Sequence, residues 1–90
     1  MNKNELVDRL SKDTGLTKAD CWRVLDACMK NIKRSVKKGE DVKLVGFGTF
    51  TKIKRQERAG VNPQTGQPIQ IPSTWVPKFR PGAEFKASLA

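Results

Sequence analysis

Four cations fall within seven residues, Lys52, Lys54, Arg55 and Arg58, and a Val61-Asn62-Pro63 step follows them closely. Only Glu57 opposes their charge. In an extended strand the spacing places Lys52, Lys54, Gln56 and Arg58 on one face and turns Arg55 to the other. A basic two-stranded ribbon can track a groove of DNA, its cations contacting phosphates and sensing groove width. Pro63, flanked by Val61, supplies an apolar point beyond these cations. Exposed apolar side chains in such positions wedge between base steps and kink a duplex. The bland alternative is a solvated loop, and the apolar tip argues against it.

No other constellation competes for chemistry. The chain has no His to act as a base, no Gly-rich phosphate loop before a helix and no nucleophile with a partner, so it is not read as an enzyme. Cys21 and Cys28 fall on one expected helix, about 10 Å apart along its axis and beyond the roughly 7 Å reach of a disulfide. They are expected as reduced thiols, buried as small apolar side chains. With only these two thiols, neither a metal site nor a cofactor is expected.

The elements that must position the basic stretch follow from periodicity. Leu6, Val7 and Leu10 share one side of a first helix from Lys3 to Lys12, stopped by Thr14-Gly15. Thr17 and Asp20 form a variant capping box that opens a longer second helix. Its stripe is Cys21, Val24, Leu25, Cys28, Ile32 and Val36, with Gly39 as its stop. Trp22, Ala27 and Met29 lie off that stripe, which implies either a second packing surface, such as a subunit interface, or wider cover of one core. Beyond Asp41 the period shortens to two: Val42 and Leu44, a turn at Gly46-Phe47-Gly48, then a strand from Thr49. That strand runs on through Lys52 to Arg58 with almost nothing apolar to bury. Asn62-Pro63-Gln64-Thr65-Gly66 is a turn, Ile69 to Pro72 runs back to Val76 and Phe79, and a last helix spans Ala83 to Leu89.

Length decides what the extension does. Ten strand residues reach about 33 Å, whereas a compact chain of this size has a radius of gyration of about 12 Å. Residues 52–75 are therefore expected as a projecting β-arm on a body of residues 1–51 and 76–90, all within one domain. A 90-residue domain buries only about 60% of its unfolded surface, so its stability is marginal or borrowed from a partner. The formal charge of +9 points to a polyanion, nucleic acid before an anionic membrane surface. Residues 46–90 are the less compensated half, with seven basic and two acidic side chains. No stretch is apolar enough to span a membrane, and the start lacks a secretory pattern, so a soluble, cytoplasmic protein is expected.

The stretch Gly46-Phe47 with Phe50, then Arg55, Arg58, Gly60, Asn62-Pro63 and Thr65-Gly66, resembles the signature of the HU/IHF family of bacterial DNA-bending proteins. The resemblance continues through Ile71-Pro72, Val76-Pro77, Phe79 and Pro81-Gly82 and covers essentially the whole chain. It implies an α+β fold, with two N-terminal helices and a short C-terminal one in a helical body. A three-stranded antiparallel sheet extends from that body into a long β-hairpin arm, and two chains, identical or related, intertwine as a dimer. Carried over by position, the DNA contacts would be Lys52, Lys54, Arg55, Arg58, Asn62, Pro63 and Gln64 on the arm, with Pro63 intercalating. Lys3, Arg80 and Lys86 would contact DNA from the body. Met29, Phe47, Phe50 and Phe79 would form the dimer core. The chain departs from the family at Ala59, Val61 and Ala83, where basic residues are common. Trp75 replaces a common Lys and either packs on the saddle of sheet or touches the sugar-phosphate backbone.

Three functions remain open at this point. The first is minor-groove bending and compaction of double-stranded DNA with little sequence preference, as a nucleoid-associated protein, distorted or nicked DNA included. The second is sequence-specific bending of the IHF type, or RNA binding on the same scaffold. The third is a cationic protein-interaction or membrane-surface module.

Overall fold

The computed structural model describes residues 1–90, which form two compact units, Met1–Arg34 and Ser35–Ala90. In the first, Asn2 is extended and its Oδ1 accepts the Glu5 N–H at 2.9 Å, so α1 (Lys3–Thr14) begins there. The cap satisfies one otherwise unpaired amide, and Glu5 sets a negative charge at the positive end of the helix. Gly15 ends α1 by donating its N–H to the Ser11 carbonyl at 2.9 Å. Thr17 then caps α2 (Lys18–Lys38), its Oγ1 accepting the Asp20 N–H at 3.1 Å. The Asp20 carboxylate turns to Arg23 instead of closing a full capping box.

Ion pairs join Lys3 to Asp26 and Asp8 to Lys18, the latter at 3.1 Å. They match the start of α1 with the middle of α2 and the middle of α1 with the start of α2, so the helices run antiparallel. Val7 and Cys21 are the buried apolar side chains. The expected stripe on α2 is covered in part: Leu25, Ile32 and Val36 are half-buried, but Val24 is 63% exposed. Cys28 is exposed too, which corrects the expectation that both thiols are buried. Within the first unit α1 meets α2 only as far along as Asp26, and Cys28 lies beyond its reach.

The second unit, which begins at Ser35 and so includes the last turn of α2, holds β1 (Val42–Leu44), β2 (Gly48–Arg55), β3 (Arg58–Val61), β4 (Pro68–Ile71), β5 (Thr74–Pro81) and α3 (Ala83–Ser88). β1, β2 and β5 form an antiparallel sheet in that order, and β3 pairs with β4. Phe50 stands between Val42 and Phe79. The register that sets Gly48 opposite Pro81 and Arg55 opposite Thr74 carries on to Arg58 opposite Ile71 and Val61 opposite Pro68. Between the two ladders Gln56 and Glu57 leave the strand, as do Pro72 and Ser73. The uninterrupted outgoing strand expected to Arg58 is therefore broken, because Pro72, opposite Glu57 in this register, has no N–H to donate.

At the foot of the sheet Phe47, Phe50, Phe79 and Phe85 pack ring on ring, with centroids 4.9–6.4 Å apart. Phe85 comes from α3, which starts directly after Gly82 donates its N–H to the Phe47 carbonyl at 2.8 Å. Gly48 is required for space: a Cβ there would lie 2.5 Å from the Phe79 ring and 2.7 Å from the Arg80 carbonyl.

Two outcomes follow. Gly48→Ala must displace an aromatic ring and is expected to cost about 1–3 kcal/mol, read as a lowered midpoint in thermal or urea unfolding; an unchanged midpoint would mean that the phenylalanine cluster yields freely. The Lys3 ammonium, donating to Asp26, holds that carboxyl below its ordinary pKa, and Lys30 and Lys33 add to the effect. A depressed carboxylate stabilises the fold above its unfolded pKa and loses that contribution as pH falls through the folded one. Asp26→Asn should therefore lower the melting temperature at neutral pH, with the gap from the wild type closing in acid below the lowered pKa. A gap that stayed constant down to that pH would contradict the pairing.

Candidate nucleic-acid interface

Strand alternation gives the sheet two unlike faces. One carries Val42, Phe50, Lys52 and Lys54 with Trp75, Pro77 and Phe79. The other carries Lys43, Thr49 and Arg80 in one row, then Thr51 with Lys78, Ile53 with Val76, and Arg55 with Thr74. Lys43, Arg55, Lys78 and Arg80 are exposed. No cation between Ser35 and Ala90 makes an ion pair; all three pairs lie in the first unit. The acid at the edge of this polar face, Asp41, accepts a hydrogen bond from the Thr51 hydroxyl at 2.6 Å. The face is thus a field of positive charge without ion pairs, set in rows on paired strands and suited to a row of phosphates.

The residues expected to form the site separate into groups. Arg55 and Arg58, assigned to opposite faces by simple alternation, line one cleft with Gln56, Ile71, Pro72, Thr74 and Val76. The lost pairing at Gln56 and Glu57 lets the ribbon turn between them. Lys52 and Lys54 do not join this cleft. Lys52 Nζ donates to the Lys37 carbonyl at 3.0 Å and lies 4.6 Å from the centre of the Trp75 ring, with Lys54 Nζ at 5.8 Å. Trp75 therefore packs against its neighbours on the sheet, although its side chain remains 57% exposed.

At the tip, Asn62 holds the turn together. Its Oδ1 accepts the Gln64 N–H at 2.9 Å, its N–H donates to the Gln67 carbonyl at 2.8 Å, and its carbonyl accepts the Gly66 N–H at 2.7 Å. Gly66 closes this turn at φ 71°, a backbone region that favours glycine. Pro63 and Gln64 are exposed on it, and Val61 is 65% exposed beside them. Ala59 and Ala83 are exposed as well, Ala59 on β3 and Ala83 as the first residue of α3.

Arg80 stands on the polar face, and Lys86 is exposed in the last turn of α3. Lys3 is bound twice within the first unit, to Asp26 and over the Trp22 ring at 4.2 Å. Met29 is half-buried on α2, and Phe47 is 44% exposed although it belongs to the aromatic cluster. Sequence reading missed Lys43 and Lys78 as partners of Arg80, and Phe85 as the fourth ring. The alternation of Lys43 with Val42 and Leu44, and of Lys78 with Phe79, was the signal that could have found the two lysines.

A family model described as "Bacterial DNA-binding protein" matches residues 1–90. The chain is 48% identical over 86 residues to a DNA-binding protein HU of Thermotoga maritima, covering 96% of each. It is 45% identical over 86 residues to the DNA-binding protein HU-beta of Escherichia coli K12, again over 96% of each. Among solved structures, an HU–DNA cocrystal structure from Anabaena matches with a TM-score of 0.97 at 41% identity, covering 100% of this chain and 98% of that one. HU from Thermotoga maritima matches with a TM-score of 0.71 at 32% identity, over the full length of both.

Proposed function

From the premise that the chain belongs to the bacterial DNA-binding protein family that includes HU, a family of DNA-binding proteins and not of enzymes, we propose a specific mode of action. The protein is an architectural DNA binder that works as a dimer, grips duplex DNA through the minor groove with little sequence preference, and bends it. The observation that carries this reading is the uncompensated cationic face of β1, β2 and β5, prolonged by a basic ribbon with an apolar tip. Residues 52–75 act as the arm. Arg55 and Arg58 bind phosphates at the joint of the ribbon, while Lys43, Lys78 and Arg80 bind them on the saddle. Pro63, beside Gln64, is the wedge that opens a base step; such wedges kink DNA by about 20–90°, a range drawn from architectural proteins that include HU and IHF themselves.

Low sequence preference follows from the chemistry of the contacts. Cations on phosphates carry no base information, and Asn62 Oδ1 at the tip is engaged by the Gln64 N–H of its own turn. Selectivity then comes from deformation: bending a site of 20–30 base pairs costs about 1–6 kcal/mol, so nicked or already bent DNA binds more tightly. Such binding places the protein on the nucleoid. No helix is long and apolar enough to cross a membrane.

The dimer rests on missing burial. Among its apolar side chains only Val7 and Cys21 are buried. Phe47, Leu44 and Val24 are apolar side chains that a second copy would cover.

A salt-dependent titration on linear, nicked and four-way-junction DNA tests the reading as a whole, with tighter binding to the distorted forms expected. Arg55→Ala and Arg58→Ala should each flatten the slope of log K against log salt by about 0.9; unaltered slopes would remove the arm from the interface. Pro63→Ala should reduce bending in a cyclisation assay more than it reduces affinity, and unchanged cyclisation would rule out the wedge. Phe47→Asp should convert a sedimenting dimer into monomer or unfolded chain; a wild-type protein that sediments as a monomer would refute the dimer.

A further inference from the structure

Beyond Phe50 the ribbon has lost its neighbour β1, whose pairing with β2 ends at Val42 opposite Phe50. A two-stranded ribbon without further support is barely stable in water. Here, however, its first turns are fastened. The Lys37 carbonyl, in the last turn of α2 and without an intrahelical donor, receives the Lys52 ammonium at 3.0 Å. A cation at that end also meets the negative pole of the helix. Trp75, directly across from Lys54 and diagonal to Lys52, holds both ammonium groups near its ring, at 5.8 and 4.6 Å. All three side chains project from the face that carries Phe50 and Phe79, leaving Arg55, Lys78 and Arg80 unencumbered on the other. Two residues further out, pairing stops at Gln56–Glu57 and Pro72–Ser73.

We propose that Trp75 is a positioning residue: it gathers Lys52 and Lys54 at its ring and so clamps the base of the ribbon, through Lys52, to the end of α2, so that the arm flexes at the Gln56–Glu57 and Pro72–Ser73 break and not where it leaves the sheet. The clamp fixes the direction in which Arg55 and the tip approach a ligand. Its value for binding rests on the DNA reading above, whereas the clamp itself is a property of the free protein.

The test is backbone 15N relaxation on the intact protein without DNA, comparing wild type, Trp75→Ala, Trp75→Phe, Lys52→Met and the Trp75→Ala/Lys52→Met double variant. In the wild type, order should persist through Arg55 and Thr74 and drop at 56–57 and 72–73. Trp75→Ala and Lys52→Met should each move the drop inward to residues near Thr51 and Lys78. The double variant should be no more mobile than either single one, and Trp75→Phe should restore most of the order. For a linear duplex, Trp75→Ala should weaken binding by about two- to five-fold, the worth of an exposed cation–π contact, with the salt slope unchanged. The clamp is overturned by unchanged order at 52–55 in Trp75→Ala, by additive effects in the double variant, or by failure of the Phe variant to rescue. If the relaxation pattern holds and the wild type binds no duplex, the clamp stands and the DNA reading falls.

Discussion

From Gly48 opposite Pro81 to Val61 opposite Pro68 the outgoing and returning strands keep a single register, and every surface in the second unit depends on it. A slip of one residue would exchange the two faces of the sheet, setting Arg80 and Lys78 among the phenylalanines and the rings in water. The cross-strand pair Phe50–Phe79, with centroids 4.9 Å apart, sets that register at the foot. Gly48 enforces it, since only a residue without a side chain fits beside the Phe79 ring. The charges at the far end therefore owe their alignment to packing at the near end.

The same ladder explains how one short chain divides its labour. Its apolar residues are too few to surround a core: among them Val7 and Cys21 alone are buried, and the aromatic cluster keeps an open side at Phe47. A second chain is the physical complement of that deficit. The charged residues are divided as unevenly. In the first unit Lys3, Lys18 and Arg23 meet acidic partners, whereas the cations of the second unit meet none. Charge that is left uncompensated on strands, where side chains are held in rows, is charge available to a polyanion.

Much of this was legible in the sequence because it is written in local chemistry. Thr17 with Asp20 marked the start of α2, Gly39 its end, and Asn62-Pro63 with Gly66 the tip turn, each by a backbone requirement that only a few residue types meet. The hairpin at Gly46-Phe47-Gly48 followed from the change of period at Val42, and the α+β fold with its three-stranded sheet from the family resemblance. What remained hidden depends on residues distant in sequence. The break at Gln56–Glu57 is caused by Pro72, which is opposite only once the register is known. Alternation alone set Arg55 and Arg58 on different faces, while the broken ladder brings them to one cleft. Lys52 and Lys54 read as free cations until Trp75 and the Lys37 carbonyl were placed beside them. Val24 and Cys28 have the periodicity of buried residues, yet Val24 turns away from α1 and Cys28 lies beyond its end.

The ribbon of residues 58–71 buries no side chain of its own, and in the proposed function it is held by the DNA it binds. Amide hydrogen exchange across these residues, measured on the free protein and on its complex with a nicked duplex, tests this most directly. Fast exchange is expected in the free protein, much faster than at Phe50 and Phe79, with strong protection on binding. Slow exchange in the free protein, or exchange unaltered by DNA, would contradict it.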